Sequence, residues 1–260
     1  MPFGGFQFIR SHVGKRVCAH RYGQRMSWHN GRLAAFDIES TGVFPETDRI
    51  VTATVSVVGG GAPEDSVSWL ADPGIEIPAG ATNVHGITTE QARAEGREAA
   101  AVVDEITTKL AHEAAQGVPI VAFNARYDLT MLDREARRYD VEPLIERVGA
   151  ESLFVVDPLV IDKQLDKFRK GKRTLTDVCA IYGVTLNDAH AADADAIATA
   201  RVAWRLGEKF EELAVPLDEL HRLQVAWAAE QAASLEAYFR SQGKDEHIEQ
   251  AWPIVPVTAG

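Results

Sequence analysis

The apolar segments of this chain change their habit partway along, and that change constrains the fold more than any other feature. Up to residue 72, strand-like runs follow one another directly: "LAAFD" at 33–37, the β-branched "RIVTATVSVV", the glycine-rich "GGGAPED", then "SVSWLAD". Strand, glycine-rich loop and strand in that order predict an antiparallel meander. "GGGAPED" is no phosphate loop, because no GK[ST] follows and it leads into a strand rather than a helix. Farther on, strands alternate with helical periodicity. The pattern predicts a helix from Thr88 to about Ala115, a buried strand at "VPIVAF", an amphipathic helix at "ARYDLTMLDREARRYD" and a short strand at "SLFVVD". Helices at "TLTDVCAIYG" and "LNDAHAADADAIATARVAWRLGEKF" complete it. A meander followed by alternating strands and helices implies an α/β fold, a mixed sheet with helices on its faces.

The first strand ends on charge. In "LAAFDIESTG", residues 33–42, the two-residue period of a strand sends Asp37 and Glu39 to one side and Ile38 to the other. Two like charges so close either raise each other's pKa or need a positive neighbour. A solvated turn is the competing reading, since Asp, Ser, Thr and Gly are ordinary turn formers. Two further acidic places stand out: Asp128, in the first turn of the helix after "VPIVAF", and His190, Asp193 and Asp195, at the start of the helix after "GVTLND". Reactive groups of open α/β sheets gather beyond the carboxyl ends of the strands, so these segments are expected to converge. One histidine among several carboxylates favours magnesium or manganese over zinc.

A net charge of −11 repels nucleic acid over most of the surface, so any polyanion site must be local and assisted by metal. "DKFRKGKRTL" concentrates Lys167, Arg169, Lys170, Lys172 and Arg173, either as a solvated loop or as a track for a single strand. Hydrophobic residues at 46% and charged residues at 25% fit a soluble globular chain, and no apolar run approaches a membrane span. Cys18 and Cys179 lack any paired-ligand spacing, which argues against structural zinc or a disulfide framework and points to a reducing cytoplasm. Residues 1–36 hold Arg10, Lys15, Arg16, Arg21, Arg25 and Arg32 but no acid. The first 25 show no apolar period and are expected to form a basic, disordered leader, an upstream extension if Met26 is the natural beginning. Residues 26–210 carry the chemistry. Residues 211–260 add a long helix after Pro216 and a tail, with Trp227, Leu235 and Tyr238 as an apolar stripe for the domain or for a partner.

Taken in order, D-x-E at the first strand, N-x-x-x-D after the fourth and H-x-x-x-x-D in the last helix of the domain resemble the DnaQ-like 3′–5′ exonucleases of the DEDDh class, over about residues 31–210. "DIESTG", "FNARYD" and "HAADAD" match the three motifs, and "NVHGIT" at 83–88 resembles the family's loop near the terminal nucleotide. The resemblance implies a ribonuclease H-like mixed five-stranded sheet flanked by helices, here with an added C-terminal helix. It implies two Mg²⁺ (or Mn²⁺) held by Asp37, Glu39, Asp128 and Asp195, with Asp37 bridging and His190 as general base. Ser40, Thr41, His85 and Asn124 are the implied substrate contacts. The implied reaction removes nucleoside 5′-monophosphates from the 3′ end of single-stranded or frayed DNA, in proofreading or repair, within or beside a DNA polymerase or repair complex and away from membranes. The same catalytic set serves exoribonucleases of the RNase T or oligoribonuclease kind, and a noncatalytic polymerase-associated module is the reading of another class. Two departures stand out. Phe123 replaces the histidine, and Tyr127 the phenylalanine, of the family's usual HNxxFD, though neither position supplies a ligand. In the third motif helical geometry alone puts Asp193 nearer His190, whereas the resemblance selects Asp195.

Overall fold

A computed structural model describes residues 27–186 and 192–257. The expected basic leader and His190 lie outside the described residues. The meander forms as expected: β1 (Arg32–Ser40), β2 (Ile50–Gly59) and β3 (Asp65–Asp72) pair antiparallel in sequence. The β2–β3 turn uses Gly59, Gly60 and Gly61, all at positive φ, where a side chain would be strained. On the far side of β1, β5 (Ile120–Val121) and then β6 (Val155–Val156) add in parallel.

Among the described residues the sheet has six strands, in the order β4-β3-β2-β1-β5-β6, where five were expected. The sixth, β4 (Arg97–Glu98), is a two-residue ladder parallel to the end of β3. It interrupts what the periodicity read as one helix from Thr88 to Ala115. Three helices therefore occupy this stretch of chain and its approach: α1 (Ala79–His85), α2 (Thr89–Glu95) and α3 (Ala99–Ala115). Thr88 caps α2, accepting from the Gln91 N–H, and Glu98 caps α3, accepting from Ala100 and Ala101. The break falls at Gly96, where the chain runs so close to β3 that a Cβ would sit 2.6 Å from Asp72 N and collide with the Ala92 carbonyl.

Alternation along β1 sorts the core. Ala34, Phe36 and Ile38 face α3 and α4 (Ala125–Arg138), packing with Val103, Ile106, Leu110, Leu129 and Leu132. Leu33 and Ala35 face the other way, onto α8 (Ala192–Lys209). Ala196, Ala200 and Ala203 of α8 are buried there, and such small side chains let the helix axis approach the sheet closely. The short helices α5 (Leu144–Val148), α6 (Pro158–Leu165) and α7 (Leu175–Tyr182) connect these layers.

The C-terminal helix α9 (Leu217–Ser241) buries Leu220, Gln224, Ala228 and Ala232, every fourth position, against this body. Of the expected stripe, Trp227 is partly buried in the core, while Leu235 and Tyr238 stay exposed. The polar positions explain the docking. β6 is an edge strand, and its outward groups are met by α9: Val155 N–H donates to His221 Nδ1 at 3.1 Å, Gln224 Nε2 donates to Val155 O at 2.9 Å, and Asp157 N–H donates to Gln224 Oε1 at 2.7 Å. Trp252 from the tail joins the same core. No helix among the described residues is long and apolar enough to cross a membrane.

Substituting Gly96→Ala should lower stability by about 1–3 kcal/mol, the usual cost of overpacking. A urea denaturation midpoint unchanged from wild type would show that the α2–β4 junction yields freely.

Candidate active site

The β1 alternation that buries Leu33 and Ala35 carries Asp37 and Glu39 onto the same face, toward α8. A register shift follows at once: Glu39 pairs with Thr52 but Ser40 with Ile50, a bulge that ends regular pairing where the carboxylates stand. Asp195, in the first turn of α8, meets them there. One carboxylate oxygen from each of Asp37, Glu39 and Asp195 lies within 4.8 Å of the others. Asp193 is exposed on the same turn, accepting from the Ala194 N–H, and stays out of the cluster. The structure thus brings Asp195, the residue the resemblance selects, to the pair on β1. Asp128 is only 4% exposed and acts on Asp37 from the start of α4.

Electrostatics follow from this crowding. Burial, then Asp128, Asp195 and Glu39, hold Asp37 well above the ordinary carboxylate range. Burial and Asp195 push Glu39 up to about 7. Asp128 is likewise raised well above the ordinary range, by burial and then by Asp157 and Glu39, while hydrogen bonds from its own backbone and that of Ile38 oppose the rise. An all-oxygen donor set whose members repel one another fits a hard divalent cation such as Mg²⁺ or Mn²⁺.

Asp157 is the residue that sequence reasoning missed. It ends β6, is 1% exposed and caps α6, accepting from Leu159 N at 2.9 Å. It also accepts from Asn124 N at 3.1 Å and Ala125 N at 2.9 Å, the opening residues of α4. Those bonds hold Asn124 in its left-handed conformation, φ 70° and ψ 46°, and so aim the turn that carries Asp128. The signal was present in "SLFVVDP": a second strand ending on a carboxylate, directly before a proline suited to the first turn of a helix.

Ser40, Thr41, His85 and Asn124 all line one cleft of about 560 Å³ beside Glu39. Two of them present less than their type suggests. Ser40 Oγ lies 2.7 Å from Gly42 O and 2.5 Å from Tyr127 Oη, which is itself 2.7 Å from Gly42 O. Burial pushes the Tyr127 phenol up to about 12, so both hydroxyls keep their protons, and two protons serve three oxygens. The triangle satisfies itself and turns the Ser40 hydroxyl inward. Thr41 Oγ1 accepts from Arg49 N and donates to Asp48, while its own N–H donates to Arg49 O. His85 Nδ1 accepts from Ile87 N at 3.2 Å, and burial lowers the ring's pKa against the pull of the Ser40 backbone, so the neutral ring carries its proton on Nε2. A larger cavity, about 680 Å³, is walled by Trp28, Phe154 and Leu217 and touches none of these residues.

The basic segment divides. Arg169 and Arg173 both pair with Asp162, a fully buried carboxylate that also accepts from Tyr182 Oη. They anchor the loop, and only Lys167, Lys170 and Lys172 remain of the expected cationic track.

Residues 34–203 match the family model described as "Exonuclease", RNase T in type. The chain belongs to the DnaQ-like exonuclease family. A DNA polymerase III subunit epsilon-like protein of Rhodobacter capsulatus is 38% identical to this chain over 106 residues, 40% of the chain and 14% of that relative. A PolC-type DNA polymerase III of Caldanaerobacter subterraneus is 25% identical over 185 residues, 71% of the chain and 12% of that relative. The chain thus spans only a small part of the curated relatives it matches. Exonuclease I of E. coli, solved with a dA16 oligonucleotide, shares the fold at a TM-score of 0.60 and 20% identity, over 71% of this chain and 42% of that one.

Two outcomes test the site. A carboxyl whose pKa is higher in the fold than in the unfolded chain favours folding when protonated, so its contribution falls as pH rises from the unfolded to the folded value. In EDTA, stability should therefore decline between about pH 4.5 and 7, the ordinary and shifted values of Glu39, and Glu39→Gln should flatten that decline. Urea titrations across this range check it; parallel slopes for variant and wild type would refute the crowding. Separately, Asp157→Asn replaces one acceptor oxygen by a donor and should cost about 1–3 kcal/mol for the unpaired α4 N–H. Its turnover should fall as well, whereas a purely structural role for Asp157 would leave turnover at wild-type level in the folded variant.

Proposed function

We propose that this chain is a metal-dependent exonuclease that removes nucleoside 5′-monophosphates from the 3′ end of single-stranded or frayed DNA, in proofreading or repair. The observation that carries the reading is the meeting of Asp37, Glu39 and Asp195 oxygens within 4.8 Å, from β1 and α8, beside a cleft open at Glu39. The epsilon-like and PolC-type relatives support work within or beside a DNA polymerase or repair complex.

Asp37, Glu39 and Asp195 would hold one divalent ion, and Asp37 with Asp128 a second. Such ions, when bound, supply an acidified water and neutralise charge on the phosphoryl and departing oxygens. The chain's own residues do the rest. His190, five residues before Asp195, accepts the proton of the attacking water, a task to which an imidazole is suited at neutral pH. As the water oxygen bonds to phosphorus, the bond from phosphorus to the 3′ oxygen of the penultimate nucleotide breaks. That oxygen takes a proton from solvent. Asn124 and His85 Nε2–H bound the cleft for the terminal nucleotide, while Tyr127 and Ser40 keep the loop at Gly42 in shape.

Asp37→Ala and Asp195→Ala should abolish release of mononucleotides from end-labelled single-stranded DNA in Mg²⁺, and Asp193→Ala should not. His190→Ala should slow turnover by roughly 10²–10⁴, the range for loss of a general base, and remove the rise of rate with pH. Metal binding should persist in that variant, measured by Mn²⁺ titration. Full activity of either carboxylate variant, or preference for a matching RNA, would overturn the reading.

A further inference from the structure

A second groove lies near the carboxylate cleft, separated from it by one small recess. Asn124 lines both that cleft and a small recess of about 110 Å³ that Arg126, Lys163 and Trp252 wall. Lys163, Gln231 and Leu235 in turn line both the recess and a wider groove of about 410 Å³ between α6 and α9, where Lys167 and Arg173 stand. Shared walls set the three side by side. Their cations face Glu230 in the groove, the buried Asp157 in the recess, Asp162, which already pairs with Arg173, and Glu249 near Arg126. Among the described residues, neither Arg126, Lys163 nor Lys167 forms a side-chain ion pair, in a chain of net charge −11. Arg126 reaches the Glu249 carbonyl at 2.7 Å, but its Nε is buried with no hydrogen-bond partner. Burial also lowers the pKa of both Arg126 and Lys163, a cost that an anion in the groove relieves.

The other wall is apolar and open. Gln231, Ser234, Leu235 and Tyr238 recur at helical spacing along one face of α9, and Gln231 Nε2 ties that face to Val160 O at 3.0 Å. Leu235 is 43% exposed, Tyr238 58%, and Phe168, next to Lys167 in the chain, 92%. Unpaired cations beside exposed aromatic rings suit a polymer with charged links and flat faces. A single-stranded polynucleotide has both.

We propose that the α6–α9 groove carries the single-stranded polynucleotide upstream of its 3′ end, with Lys163 and Lys167 at its phosphates and Tyr238 and Phe168 stacked on its bases. The inference rests on the exonuclease reading for the direction of the strand, but its binding is measured separately. It makes strand length matter: a dinucleotide ends within the carboxylate cleft, whereas a dodecamer occupies the groove as well.

The test uses the full chain, as wild type, as Lys163→Gln with Lys167→Gln, and as Phe168→Ala with Tyr238→Ala, all checked by thermal melts. Anisotropy with a labelled dodecamer of DNA, and in a second arm of RNA, reads binding in EDTA; hydrolysis of the dodecamer and of a dinucleotide is followed in Mg²⁺. Each pair of substitutions should weaken dodecamer binding about tenfold. The lysine pair should also lower the slope of log Kd against log salt by about 1.4, from about 0.7 per phosphate contact. Dinucleotide kcat/KM should stay within twofold. Dodecamer binding that is absent in wild type, or equal in all three proteins, overturns the groove assignment whatever the hydrolysis shows. Equal loss on the dinucleotide overturns it too, because the substitutions then act through the carboxylates. Displacement of the dodecamer by polyglutamate of equal charge, with the aromatic pair indifferent, would give the groove to an acidic protein and overturn it likewise. Binding with the expected losses but no hydrolysis of either substrate would leave the groove standing and remove the exonuclease reading instead.

Discussion

Mutual repulsion among Asp37, Glu39, Asp128 and Asp195 is the constraint on which the rest of the structure turns. Four carboxylates gathered at the end of a buried strand are unfavourable on their own account, and burial compounds the effect by removing water. They stay together because each is carried by an element with its own reasons for being where it is. β1 is paired on both sides, antiparallel to β2 and parallel to β5. α8 lies close on β1 through alanines. α4 is fixed at its first residues by Asp157. The fold thus supplies rigidity at the place where the local chemistry opposes it, which is the pattern expected where function overrides local stability.

How much of this was legible follows from what kind of information each feature needs. The side of β1 on which Asp37 and Glu39 lie is a matter of parity, and two-residue alternation supplied it before any contact was known. The meander was equally plain, from β-branched runs around a triple glycine. The choice of Asp195 over Asp193 was not readable from helical geometry alone, because it depends on how α8 is rotated against the sheet; the resemblance carried it, and the structure brings Asp195 to the cluster. The break at Gly96 was hidden because the apolar period continues across it, and only the close approach of the Ala92 carbonyl and of Asp72 on β3 makes a side chain there costly. Arg169 and Arg173 read as part of an open cationic track; that both turn back onto Asp162 requires a partner lying in α6.

Ser40 and Tyr127 show how a single substitution changes what a motif offers. A phenylalanine at 127 would leave the Ser40 hydroxyl one partner fewer. Tyr127 instead closes a ring of oxygens around Gly42 and withdraws that hydroxyl from the cleft. What Ser40 retains is the shape it gives the loop. A residue can thus keep its place in a motif while its chemistry is redirected by a neighbour 87 positions away in the chain.

The way the sheet ends at β6 has its own consequence. A strand edge normally advertises a row of donors and acceptors that another strand can copy, and proteins discourage this with charge, proline or cover. Here the outermost groups of Val155 and Asp157 are already satisfied by the imidazole of His221 and the amide of Gln224. A side-chain amide offers the same pairing pattern as a peptide group, yet it terminates the ladder, because no further main chain follows it in the same direction. The sheet is finished chemically as well as sterically, and a molecule closed in this way has no exposed template at that edge by which copies of itself could recruit one another into a growing β-structure.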